Sequence, residues 1–136
     1  TVRQQQGKLD EAITLFRSAL KFSPEAPEIY NTLGAALRSK GDTENSKIAL
    51  QEAARLNKIK TNRQGATFSL NTGLAHLKVG KIDEAIVQFE NVVKLTPDNS
   101  EGFYQLAKAL KLKGKTLDAN IAYKKAKQLN PNIKPL

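Results

Sequence analysis

Cysteine is absent from the 136 residues, which removes disulfides, thiolate metal sites and thiol catalysis together, and leaves the redox compartment open. Histidine occurs once, as His76, so histidine-based metal sets and nucleophile–base pairs have almost nothing to work with. No run approaches the roughly 18 consecutive apolar residues that a membrane span requires. The opening Thr1-Val2-Arg3-Gln4-Gln5-Gln6 also lacks the pattern of a secretion signal. We therefore expect a soluble chain with no membrane partner, in cytosol or periplasm. With no initiating methionine and a start inside a repeating unit, it is expected to be a portion of a longer protein.

What is present is charge and repetition. The formal net charge is +9, and +6 of it falls in residues 100–136, an asymmetry that speaks of acidic partners rather than of fold. A chain of this length buries roughly two-thirds of its unfolded surface. Gly7-Lys8-Leu9-Asp10-Glu11-Ala12-Ile13 returns as Gly80-Lys81-Ile82-Asp83-Glu84-Ala85-Ile86, and Gly41 and Gly114 open related segments. Other columns keep step: Ala12, Ser46, Ala85, Ala119; Phe16, Leu50, Phe89, Tyr123; and Ala19, Ala53, Val92, Ala126. Their offsets of four and three are those of one helix face.

Pro24, Pro97 and Pro131 close three of the units, with Lys58 in the fourth place, and a proline just past a helix end cannot continue the hydrogen-bond ladder. Upstream of each glycine runs a second helical pattern, Tyr30, Leu33, Gly34, Leu37 and again Phe103, Leu106, Ala107, Leu110, with a more polar copy in Ser69, Thr72, Gly73, His76. Each unit therefore reads as two helices joined by a glycine turn. Small residues let the two backbones approach.

The glycines step by 34, 39 and 34 residues, and 34-residue units with these columns resemble the tetratricopeptide repeat. The resemblance implies an all-α, right-handed superhelical solenoid of antiparallel helix pairs, about three and a half repeats long. The division is a half repeat at 1–26, full repeats at 27–60, 66–99 and 100–133, an inserted junction at 61–65 and a tail at 134–136. Thr61-Asn62-Arg63-Gln64 has the form of a capping box, which predicts a helix starting at the insertion and running to about Lys78.

Catalytic chemistry finds no constellation, so no enzyme activity, metal or cofactor is expected. His76 shares a column with Leu37 and Leu110, which predicts packing between helices. Asp10-Glu11 and Asp83-Glu84 are adjacent residues that cannot face each other on a helix, and they are expected in first turns, where acids favour the helix dipole.

In arrays of the resembled family the first helix of each repeat lines a concave groove. Carried onto this sequence, that implies Glu28, Asn31, Ala35 and Arg38 in one repeat, then Thr67, Leu70, Asn71, Leu74 and Leu77, then Glu101, Tyr104, Gln105, Lys108 and Lys111. Such a surface suits an extended peptide or helix that is apolar at its centre and acidic toward one end. For the leucines, packing inside the array is the alternative. For the lysines it is a solvated face. Some proteins with similar repeats clamp a chaperone C-terminus with asparagines and lysines; only Asn71 matches, and Leu70, Leu74 and Glu101 oppose it.

The expected function is a protein–protein interaction scaffold. Three alternatives stay open: a basic nucleic-acid-binding module, disfavoured because arginines are few and Tyr104 is the only aromatic near the lysines; self-association through exposed solenoid ends; and a regulatory arm of a larger enzyme. Lys124, Lys125 and Lys127 fall where a further repeat would dock.

Overall fold

A computed structural model describes residues 1–136 and is all-α. Six helices follow in order: α1 Val2–Phe22, α2 Pro27–Lys40, α3 Thr43–Lys78, α4 Ile82–Leu95, α5 Ser100–Leu112 and α6 Thr116–Leu129. The chain divides into two compact units, Thr1–Lys60 and Thr61–Leu136, with α3 contributing to each.

Within the first unit, Ile13 of α1, Leu33, Ala36 and Leu37 of α2 and Ala49 of α3 form the buried core, flanked by Leu9, Phe16, Leu20 and Tyr30. Ser46 stands in the alanine column without penalty, because its buried hydroxyl donates to the Gly34 carbonyl at 2.7 Å. In the second unit Ala85, Ile86 and Phe89 of α4 meet Leu106, Ala107, Ala109 and Leu110 of α5 and Ala119 and Ala122 of α6. Complete burial of a side chain such as Phe89 stabilises by about 1.5–3 kcal/mol.

Three turns share one stop motif. Gly41, Gly80 and Gly114 adopt φ of 90°, 79° and 87°, a region costly for any residue with a Cβ. In each, the next residue's N–H reaches back to a carbonyl of the last helical turn: Asp42 to Leu37, Lys81 to His76 and Lys115 to Leu110, all at 2.9 Å. The closing prolines work at the other ends, since Pro24, Pro97 and Pro131 each stand two residues past α1, α4 and α6.

Two expectations are corrected. Gly7 does not turn: α1 runs through it from Val2, over residues 2–6 that are all exposed and have no neighbour to fold back upon. Asp10 and Glu11 consequently lie in mid-helix rather than in a first turn, and Asp10 instead pairs with Lys40 of α2. Asp83 and Glu84 do occupy the first turn of α4.

The second correction concerns Thr61–Gly65, which lies inside α3, a single helix of 36 residues. Thr61 therefore starts no helix and its capping box does not form. With Lys58 in the place of the stop proline and Lys60, Arg63 and Gln64 all good helix formers, nothing in this stretch ends the ladder. Gly65 is the weakest former there, and it allows Leu95 to approach, since a Cβ there would stand 3.1 Å from the Leu95 side chain.

Candidate partner-binding surface

The expected surface residues fall on three helices. Asn31 and Arg38, with Glu28 and Ala35, are exposed on α2 of the first unit. Thr32 on the same helix turns its hydroxyl back to the Glu28 carbonyl at 2.9 Å, so it offers little outward.

In the second unit the leucine stripe divides. Leu70 and Leu77 pack against the α4–α5–α6 core and belong to it, whereas Leu74 is 38% exposed and Asn71 is exposed beside it. The spacing of i, i+4 and i+7 puts three residues on one side of a helix, but that side is wide enough to cover both the flank of a core and open solvent.

On α5 the division is similar. Lys108 and Lys111 are exposed one turn apart and enter no ion pair, while the neighbouring Lys113 pairs with Asp83 of α4. Tyr104 is half-buried, and its hydroxyl donates to the Pro135 carbonyl at 3.3 Å. Tyr123 of α6 likewise donates to the Lys134 carbonyl at 3.2 Å, so the C-terminal segment is tied down along both tyrosines. Gln105 is half occupied: its Nε2 donates to Glu101 at 2.8 Å, while its Oε1 is shielded from solvent and accepts no hydrogen bond.

The remaining candidates sit apart from this cluster. His76 is half-buried in the last turn of α3, and its carbonyl accepts the Val79 and Lys81 N–H groups of the following turn. Ser69 is buried and accepts from Asn91 Nδ2 at 2.7 Å, so its polarity in an apolar column is satisfied. Lys124, Lys125 and Lys127 are exposed on α6. No three His, Asp or Glu side chains converge on one point.

A surface that the sequence reading missed lies between α5 and α6. Phe103, Leu106, Leu110 and Ile121 line an apolar groove of about 390 Å³, with Asp118 and Lys125 at its edge. Ile121 is the informative residue, because a large apolar side chain 70% exposed on the final helix could have been read as a surface feature.

Two carboxylates of the first unit are perturbed. Hydrogen bonds from the Asn45 side chain and backbone hold the Asp42 carboxylate below its ordinary value, and the Arg55 guanidinium, at 2.5 Å, does the same to Glu52. Neither belongs to the expected surface. No helix is long and apolar enough to cross a membrane.

The repeating columns are matched by known families. A model described as TPR repeat matches residues 2–41 and 73–114, and one described as Tetratricopeptide repeat matches 27–59. The chain belongs to the tetratricopeptide repeat family. Residues 60–72, in the second half of α3, lie outside both tetratricopeptide matches. Members of this family are typically non-catalytic scaffolds for protein interaction.

No curated protein sequence matches the chain. Among solved structures, MamA is similar at 21% identity over 95% of this chain and 72% of its own, with a TM-score of 0.49. YrrB, described as a TPR protein with an unusual peptide-binding site, is 18% identical over 96% and 82%, with a TM-score of 0.48. MamA from Desulfovibrio magneticus is 22% identical over 94% and 70%, with a TM-score of 0.47.

Proposed function

We propose that this tetratricopeptide chain is a protein-interaction scaffold whose second unit presents Asn71 and Leu74 on α3 and Tyr104, Lys108 and Lys111 on α5 to an extended peptide. The observation that carries this reading is the pair of exposed, unpaired cations one turn apart on α5, one turn beyond a tyrosine. Lysines that no carboxylate of the chain neutralises attract an acidic segment, and the exposed Leu74 side chain gives that segment's apolar part a place to shed water.

Leu70 and Leu77 support the surface from beneath, because they belong to the core. Gln105 contributes position rather than contact. The absence of a converging acid–base or metal set makes binding the better reading than catalysis.

The experiment is fluorescence anisotropy with labelled peptides carrying an apolar centre and a run of glutamates at one end, compared with peptides of the same composition in scrambled order. Selective binding, weakened at least tenfold by Leu74→Arg combined with Lys108→Glu, is expected. Binding indifferent to both changes would sink the proposal, as would tighter binding to a single-stranded oligonucleotide that survives moderate salt.

A further inference from the structure

Asn130-Pro131-Asn132-Ile133-Lys134-Pro135-Leu136 follow α6 without joining any helix. Their course is written into their sequence. Asn130 closes a turn twice over, its carbonyl accepting the Ile133 N–H at 3.1 Å and its side-chain Oδ1 accepting the Asn132 N–H at 3.1 Å. Asparagine followed by proline is a favoured start for such a turn. Pro135 then fixes its own φ and keeps Lys134 out of the helical region, so an extended course is favoured beyond the turn.

That course leads onto the surface assigned above to a peptide. Tyr123 of α6 donates its hydroxyl to the Lys134 carbonyl at 3.2 Å, and Tyr104 of α5 donates to the next carbonyl, that of Pro135, at 3.3 Å. Leu136 is half-buried against the core of α4, α5 and α6. The order of these contacts carries the segment from α6 onto the helix that holds Lys108 and Lys111. Extended peptides are recognised in the same terms, by hydrogen bonds to their main chain and a seat for a side chain. Tyr104 stands one turn from Lys108 on α5, and a hydroxyl has one proton to donate. A ligand that takes the Tyr104 hydroxyl must therefore displace the segment.

The segment is built to be displaced. Hydroxyl-to-carbonyl bonds are commonly about 2.7–2.8 Å long, so contacts of 3.2 Å and 3.3 Å are weak ones. Its only charged side chain is Lys134, so it leaves Lys108 and Lys111 unneutralised and adds a like charge to a stretch already carrying +6 over residues 100–136. An acidic peptide offers the same carbonyls and supplies the missing charge.

We propose that Ile133–Leu136 is a built-in occupant of the peptide surface, which an extended segment bearing a leucine-like residue and carboxylates for Lys108 and Lys111 displaces. The proposal rests on the peptide-binding reading of α5. Because the occupant is tethered, it competes at high effective concentration despite its weak contacts, and it lowers the apparent affinity for the ligand by the fraction of chains in which it is released.

Titration of the isotope-labelled 136-residue chain with the glutamate-bearing peptide tests the displacement, read by nuclear magnetic resonance at the Lys134 and Leu136 amides. Both amides are expected to be ordered in the free chain and to become mobile as the peptide binds. Leu136→Ser removes the apolar anchor, and Tyr123→Phe removes one hydroxyl while keeping the packed ring. Each is expected to tighten peptide binding by about threefold or more in anisotropy, with circular dichroism melts to show that the fold is intact. Equal affinity in all three forms, or binding that leaves the Lys134 and Leu136 amides ordered, overturns the proposal and leaves the peptide surface standing. Mobile amides in the free chain overturn it as well. Failure of every form to bind the peptide, Leu136→Ser included, removes the peptide surface and the proposal together.

Discussion

The passage from α4 to α5 and the middle of α3 occupy the same place in successive repeats, yet at one a helix ends and another begins, and at the other a single helix continues. From Thr96 to Asn99 the chain has Pro97 to end the ladder and Asn99 to start the next helix, its side chain accepting the Gly102 N–H at 3.1 Å. From Asn57 to Gly65 it has Lys58, no proline and a capping-box sequence that goes unused. The difference teaches that the columns of a repeat determine which faces are apolar, while a few stop and start residues determine whether a helix ends or runs on.

The largest expected contrast is between the two aromatic-column positions. Phe89→Ala should destabilise the second unit by about 3–5 kcal/mol, since it empties a site with no solvent contact. Leu50→Ala should cost only about 1 kcal/mol at high dilution, where its exposed part was never removed from water. Urea denaturation of the two variants checks this, and equal losses would show that Leu50 is covered in solution.

A smaller contrast comes from the glycines beneath those residues. A Cβ on Gly73 would stand 2.6 Å from the Phe89 ring, and one on Gly34 would stand 2.7 Å from Leu50. The ring is enclosed and cannot yield, whereas Leu50 can rotate toward solvent. Alanine gains about 1 kcal/mol of helix preference in both places. Gly34→Ala should therefore be near neutral, and Gly73→Ala should lose a net of about 1–2 kcal/mol from overpacking. Matched thermal melts that reverse this order would contradict the packing described for α3.

Much of the fold was legible because its signals act locally. The glycines at 41, 80 and 114 announce turns that need φ above zero, and the prolines at 24, 97 and 131 stand just past helix ends. Gly7 looked identical and does not turn, because a glycine only permits a turn and a packed neighbour must drive it. The continuity of α3 was hidden for the complementary reason, since Thr61-Asn62-Arg63-Gln64 suits a helix interior as well as a helix start. At the surface, periodicity set Glu101, Tyr104, Gln105, Lys108 and Lys111 apart from the α5 core, and of these Tyr104 and Gln105 are half-buried. It could not tell Leu74 from Leu70 and Leu77, whose burial depends on how α4 and α6 pack.

The start signals themselves can be weighed against each other. Asn99→Ala removes a side chain that caps α5 and should cost about 1 kcal/mol, whereas Thr61→Ala, in mid-helix, should be neutral or slightly stabilising. Chemical denaturation gives both values. A comparable loss at Thr61 would mean that a helix does begin there.

The smallest effect concerns acid and the start of α3. Asp42 receives hydrogen bonds from the Asn45 side chain and backbone at the start of α3, and they favour its ionised form, which sets its folded value below the ordinary carboxylate range. A group depressed on folding adds stability above its unfolded value, and that contribution disappears as the pH falls through the folded value. Asp42 is fully exposed, so the contribution is slight. On acidification the amide signals of residues 42–46 should report a titration below that of an unstructured aspartate, and Asp42→Asn should abolish it. A titration at the ordinary value would show that this cap does not form, and would remove from α3 the one start signal on which its first half relies.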